Sequence, residues 1–255
     1  MGEGPRQRGH EENPERRDEP ARCEEAARDS FIDVGGEPVA LTSLGGVWWP
    51  GASTYIVADL HLGRAELMGT RGIAIPGGMT SRLLESLAGE IERWNAKRLL
   101  VLGDLLHGPA GITPELVERV AAWRAACRCE MLVVPGNHDR KIERVEREWM
   151  MKVTESVWRD GPFEFAHAPD DLTAGVFGWC GHVHPAITMK HGPDAVKLRS
   201  FHISDRVGIL PAMCPLASGG GIRLNSRARI FAIAGDQVIE VRSPENRATA
   251  RRTRS

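Results

Sequence analysis

From residue 31 to residue 242 short apolar runs alternate with amphipathic segments. Tyr55–Ala58, Arg98–Gly103, Met131–Pro135, Phe163–Ala166 and Val176–Cys180 are brief apolar runs that each end at a polar cluster, the pattern of a strand covered on both faces. Two helices are predicted between the first three strands. Thr80 is placed as the cap of a segment whose Leu83, Leu84, Leu87, Ile91 and Trp94 recur on one face, and Thr113-Pro114-Glu115 has the order of a helix start. Beyond Val176 the pattern changes to strands without intervening helices: Val196–Ile203, Val207–Leu210, and Ile230–Ala234 with Val238–Val241 around a Gly235-Asp236 turn. Parallel strand-helix-strand units followed by an antiparallel half predict an α/β domain with sheets packed on each other and helices outside.

The ends read differently. Residues 1–30 mix Arg, Glu, Pro and Gly without apolar periodicity and are expected to be a disordered N-terminal tail. Residues 243–255 end in a basic run, read as a solvated tail or as an electrostatic arm for nucleic acid. The domain is therefore expected over 31–242. With 33 Lys+Arg against 34 Asp+Glu the formal charge is -1, which argues against a bulk-basic binder. No apolar run reaches the roughly 18 residues of a membrane span, and no apolar leader opens the chain, so no membrane partner is expected. Five scattered cysteines make no disulfide framework, and a reducing cytoplasm is the expected location. Cys127-x-Cys129 is half a zinc motif without a second half.

The nine histidines change the picture. Asp59-Leu60-His61 follows the first of these strands, Gly103-Asp104-Leu105-Leu106-His107 the second, and Gly136-Asn137-His138-Asp139 the third. His167 follows Phe163–Ala166, and Gly181-His182-Val183-His184 follows Val176–Cys180. Ligands gather beyond the carboxyl ends of strands in α/β sheets. Carboxylates, imidazoles and an amide oxygen form a nitrogen/oxygen donor set suited to manganese, iron or zinc. On an extended chain Asp-x-His and His-x-His would project both side chains to one face. Glycine before Asp104, Asn137 and His182 would let the backbone turn and bring the donors close. His191 and His202 belong to no motif.

As a set these motifs, spread over about residues 50 to 215, resemble those of the calcineurin-like metallophosphoesterase family. The resemblance implies a four-layer sandwich of two mixed sheets flanked by helices, and a centre with two divalent metal ions, manganese favoured over iron or zinc. Asp59, His61 and His184 would hold one ion, Asn137, His167 and His182 the other, and Asp104 would bridge them. His138 would remain unligated, its imidazole oriented by Asp139. His107 stands where the family often has a second Asp. Segments 59–76 and 210–220 are further similar to the bacterial ligase-associated DNA damage response phosphodiesterase group, although Met213 and Leu216 stand in a stretch where that group usually carries aromatic residues. This narrower likeness implies a nucleic acid substrate and a DNA ligase, an exonuclease-like protein and a helicase as functional partners.

The chemistry expected is dinuclear-metal phosphodiester hydrolysis, with His138 donating a proton to the leaving oxygen or stabilising charge in the transition state. Arg64 and Arg71, just past the first motif, are candidate phosphate contacts, with plain surface charge as the other reading. Two further functions stay open: a hydrolase of small phosphodiesters or nucleotides, and a non-catalytic repair scaffold.

Overall fold

The computed structural model describes residues 28–173, 175–191, 194–217, 219–221 and 228–241. Most of the proposed N-terminal tail and all of the C-terminal one lie outside those residues. Within them, however, Asp29 is buried and ion-paired to Arg93, and Ser30 opens the first strand, so this end of the expected tail is part of the fold.

A seven-stranded sheet runs β1 (Ser30–Val34), β2 (Glu37–Leu41), β3 (Val47–Trp49), β4 (Thr54–Val57), β5 (Arg98–Leu102), β6 (Glu130–Val134) and β7 (Lys152–Val153) in sequence order. Its first four strands are antiparallel and its last four parallel, β4 belonging to both halves. The sequence reading missed the leading three strands. Their signal was nonetheless present: Gly35 and Gly36 both have positive φ, 59° and 80°, between paired Val34 and Glu37, as a two-residue hairpin with a right-handed strand twist requires.

Strands β4, β5 and β6 are buried on both faces, with period two. Tyr55, Val57, Leu99, Val101, Met131 and Val133 face α2 (Met79–Arg93) and α3 (Pro114–Ala126), packing on Leu83, Leu84, Leu87, Ile91, Leu116 and Val120. Each such helix side chain contributes about 1.5–3 kcal/mol by leaving water. The alternate residues Ile56, Leu100, Leu102, Leu132 and Val134 face the second sheet and pack on Phe163, Phe165, Trp179, Phe201 and Phe231. That second sheet comprises β8 (Val157–Asp160), β9 (Phe163–Ala166), β10 (Phe177–Cys180), β11 (Pro185–His191), β12 (Asp194–Ile203), β13 (Val207–Ile209), β14 (Gly220–Gly221), β15 (Arg229–Ala234) and β16 (Gln237–Val241). It too is mixed, with β9, β10 and β13 parallel and the β15–β16 hairpin turning at Gly235-Asp236 as predicted. The α/β sandwich of two mixed sheets is therefore present. Among the described residues the helices that pack into a core do so on the first sheet only.

Two helix starts separate right from wrong expectations. Thr113 caps α3, its Oγ1 accepting from the Leu116 N–H at 3.2 Å, with Pro114 at the first position. Thr113→Ala is expected to cost about 1 kcal/mol, read as a lower denaturation midpoint. Thr80 is not a cap: α2 starts at Met79 behind Gly78 (φ 73°), and the Thr80 hydroxyl donates to Glu66 Oε1 at 2.9 Å. Glu66 lies in α1 (Arg64–Thr70), a short helix with no buried residues and hence no apolar period to betray it. No helix of the described residues is long and apolar enough to cross a membrane.

Candidate metal centre

All seven expected metal ligands converge beyond the carboxyl ends of β4, β5, β6, β9 and β10. The loops after β4 and β5 are tied to each other: Asp59 N–H donates to the Gly103 carbonyl, His61 N–H to Asp104, Leu62 N–H to Leu105, and His107 N–H to Leu62. A second strut comes from the segment after β13, where the N–H groups of Met213 and Cys214 donate to Ala58 and Asp59. The two stretches that carry the narrower resemblance, 59–76 and 210–220, thus meet under the Asp59–His61 loop, where Cys214, Pro215 and Leu216 line a small pocket with Leu60, His61 and Arg64.

The extended geometry expected for the paired motifs is not what the chain adopts. Asp59, His61, Asp104, His182 and His184 have φ of 56°, 48°, 48°, 67° and 50°, so five of the seven ligands sit in the left-handed region. Each such non-glycine residue stores on the order of 1 kcal/mol of strain, which the backbone struts above must hold. Side chains are thereby aimed inward from tight turns rather than projected from a straight strand.

The donor atoms form two sets. In the first, His184 Nε2 lies 3.3 Å from Asp59 Oδ1 and 3.4 Å from His61 Nε2, which is 3.9 Å from Asp104 Oδ2. In the second, His167 Nε2 lies 3.0 Å from both Asn137 Oδ1 and His182 Nδ1, and 3.5 Å from Asp104 Oδ1. Ligands held about 2.0–2.2 Å from one ion stand about 3–3.5 Å apart, a range that the spacings around His184 and His167 meet and the 3.9 Å from His61 to Asp104 exceeds, so each set is close to what a divalent cation needs. Buried Asp59 Oδ1 and His61 Nδ1 have no hydrogen-bond partner; for the carboxylate oxygen in particular that is costly unless a cation is present. Burial above all, then the neighbouring charge on His184, His138, His107 and Arg64, lowers the His61 pKa to about 3, leaving a neutral imidazole ready to ligate. His167 Nδ1 faces the Leu102 carbonyl at 3.1 Å, an acceptor only, so the proton is on Nδ1 and Nε2 offers its lone pair inward. The residues present fit two divalent ions.

Asp139 does something other than orient His138. Its Oδ1 accepts from the Leu106 N–H and its Oδ2 from the Gly136 N–H, both at 2.8 Å, so the buried carboxylate pins the loop after β6 to the loop after β5. The His138 imidazole is instead held at Nδ1, 3.0 Å from the His107 carbonyl oxygen, and its backbone N–H donates to Asp104 Oδ1 at 2.8 Å. The His107 ring stacks on His138 at 12° with centroids 5.4 Å apart, and His61, His107 and His138 bring ligand atoms within 4.8 Å of one another. The sequence alone gives His107 no role, its place in the Gly-Asp-x-x-His run being the available signal. Burial first, then the charges of Arg64 and His138, lower its pKa against the opposing pull of Asp104, and Arg71 adds to the lowering. Arg64 begins α1 and Arg71 caps its end, with their charges felt at the centre. The Cys127-x-Cys129 pair takes no part: both thiols are free, and Cys129 is buried beside Arg124.

Glycine is needed before the ligands chiefly for room. A Cβ at Gly181 would come within 2.6 Å of both Ala58 Cβ and Asp59 Oδ2, and at Gly136 it would overlap Asp104. Gly103 has both constraints: φ is 72°, and a Cβ would overlap the His167 ring. Gly103→Ala is therefore expected to cost about 1–3 kcal/mol from overpacking and to weaken metal retention through His167, measured by denaturation and by metal content after gel filtration.

Comparisons with known proteins bear on the family and the fold. The calcineurin-like phosphoesterase family model matches residues 52–208, which span every expected ligand. The nuclease MPE of Pseudomonas putida has a similar fold with a TM-score of 0.73 and 25% identity, covering 84% of this chain and 100% of that one. A protein of unknown function from Aquifex aeolicus, AQ665, is similar with a TM-score of 0.37 and 17% identity over 51% of this chain and 78% of its own. No curated protein matches the chain. With more than half its length matched, and with the ligand motifs inside the match, the chain belongs to the calcineurin-like phosphoesterase family.

Proposed function

We propose that the protein is a dinuclear-metal phosphodiesterase that cuts nucleic acid as an endonuclease. The observation that carries the two-ion reading is Asp104, whose Oδ2 faces His61 and whose Oδ1 faces His167, one oxygen for each donor set. When bound, two such ions lower the pKa of water and neutralise charge on phosphoryl oxygens. The chain's own contribution is orientation and proton handling. Because His138 Nδ1 is tied to the His107 carbonyl, its imidazole exchanges a proton at Nε2, the atom proposed to protonate the leaving oxygen. Stacking on His107 keeps that ring from turning away. Asn137 and His182 are exposed while Asp59, His61, Asp104 and His167 are buried, so the donor sets open to solvent on one side, which suits a chain-like substrate better than an enclosed metabolite.

The Pseudomonas putida protein is named a nuclease, and this supports the polymer reading over a small phosphodiester. Action in the cytoplasm in DNA repair, alongside a DNA ligase, a helicase and an exonuclease-like protein, belongs to the same proposal and rests on the resemblance of segments 59–76 and 210–220. Manganese is the proposed metal, ahead of iron or zinc, by donor type. The test is a matrix of metal-stripped protein with each divalent ion against single-stranded, nicked and duplex DNA, RNA, and an aryl phosphodiester. Metal-dependent cleavage inside a DNA strand is expected. Turnover of the aryl diester alone would leave a small-molecule phosphodiesterase, and a metal-loaded protein inert to all substrates would make it a scaffold.

A further inference from the structure

The charges around the opening are unevenly employed. Among the described residues Arg140 and Arg144 are exposed and form no ion pair or side-chain hydrogen bond, whereas Lys141 between them is 3.9 Å from Glu143. They stand on a segment fixed to the centre. Asp139 pins its start to Leu106 and Gly136, the Ile142 N–H donates to the Asp139 carbonyl, and Ile142 and Val145 are buried as anchors, which leaves the two arginines facing water. Arg140 is two residues from His138, so their Cα atoms are at most about 7 Å apart, within reach of an arginine side chain.

Strand order gives the direction. Arg64 and Arg71 follow β4, Arg140 and Arg144 follow β6, and β5 with Asp104 and His107 lies between them. Strands about 4.8 Å apart set the two arginine groups about 10 Å apart at their roots, on either side of the strand that carries Asp104. A polyanion laid across the strand ends can meet both groups with separate phosphates.

We propose that Arg140 and Arg144 bind a backbone phosphate of a nucleic acid strand on the β6 side of the centre, beyond the bond that is cut. This rests on the nucleic acid reading above and extends it to residues outside both donor sets. Leaving a solvated guanidinium unpaired is cheap in the free protein, and pairing it with phosphate releases counterions on binding.

The test uses the full metal-loaded chain, a labelled phosphorothioate oligonucleotide whose binding is followed by anisotropy across a salt series, and an aryl phosphodiester whose hydrolysis is followed in parallel. For Arg140→Ala/Arg144→Ala the slope of log K against log salt is expected to fall by about 0.7 per lost contact, and oligonucleotide affinity to fall roughly tenfold or more at 0.1 M salt. Aryl diester kcat/KM should stay within about twofold, because the centre is untouched. Arg128→Ala, at the opposite end of β6, should change neither reading. An unchanged salt slope in the double variant overturns the inference while leaving the nucleic acid reading in place. Equal losses on both substrates overturn it as well, by making the arginines supports of the centre. Wild-type protein that hydrolyses the aryl diester but does not bind the oligonucleotide overturns both the inference and the polymer reading.

Discussion

Asp104→Ala is expected to abolish hydrolysis and to strip metal from both donor sets at once. The residue is 2% exposed, held at φ 48°, and gives one oxygen to each set. Loss of a mere supporting partner of a ligand costs about 10–100-fold in metal affinity, so removal of a carboxylate shared by two sites should exceed that. If the ions supply even about 4 kcal/mol of transition-state stabilisation, turnover falls by about 10³-fold. Because Asp104 Oδ1 also accepts the His138 N–H, the alanine variant loosens that loop too. Asp104→Asn separates the effects, since its amide oxygen can keep the backbone bond without the charge. Metal analysis and denaturation should then find the asparagine variant close to the metal-stripped wild type in stability yet depleted in both ions. Two ions per chain in either variant would refute the bridging role.

The expected ligands are legible in the sequence because each lies one to four residues beyond a strand end, and strand ends are announced by apolar runs. Asp59, Asp104, Asn137, His167 and His182 needed only that local rule and the sheet's convergence. What escaped depended on contacts between loops. Nothing near Asp139 in the chain says that its carboxylate will be consumed by the Leu106 and Gly136 N–H groups, leaving the His107 carbonyl to orient His138. The turn geometry of Asp59-x-His61 was likewise hidden, because left-handed φ in a non-glycine residue is held there by partners such as Gly103 and Asp104 rather than by local propensity.

Fold elements follow the same division. Strands β4, β5 and β6 and helix α2 bury apolar faces and are visible in the sequence, whereas α1 buries none and shows its purpose only through Glu66, which receives the Thr80 hydroxyl and pairs with Arg119 at 3.0 Å. The leading meander of β1, β2 and β3 went unread because Pro38 interrupts β2 and exposed Phe31 blurs the alternation of Ile32 and Val34. Loops that bring ligands together and edges that finish a sheet are the parts decided by tertiary contact, and these were the parts misjudged.

His138→Ala should separate chemistry from metal binding. The imidazole is in neither of the two sets that share Asp104, so both ions are expected to remain, and its backbone N–H can still donate to Asp104. A positioned general acid is worth about 10²–10⁴-fold, and that factor should be lost on substrates that expel a poorly stabilised alkoxide, as a nucleic acid strand does. An aryl diester expels a phenolate that needs little protonation, so the variant should lose much less there. The ratio of the two losses is the diagnostic, because a variant with a damaged centre would fail on both. Equal losses with both ions retained would mean that His138 stabilises charge on the phosphoryl oxygens rather than protonating the leaving oxygen. A fall in bound metal would move it into the ligand group that its ring already forms with His61 and His107, and the proton-donor role would then be withdrawn.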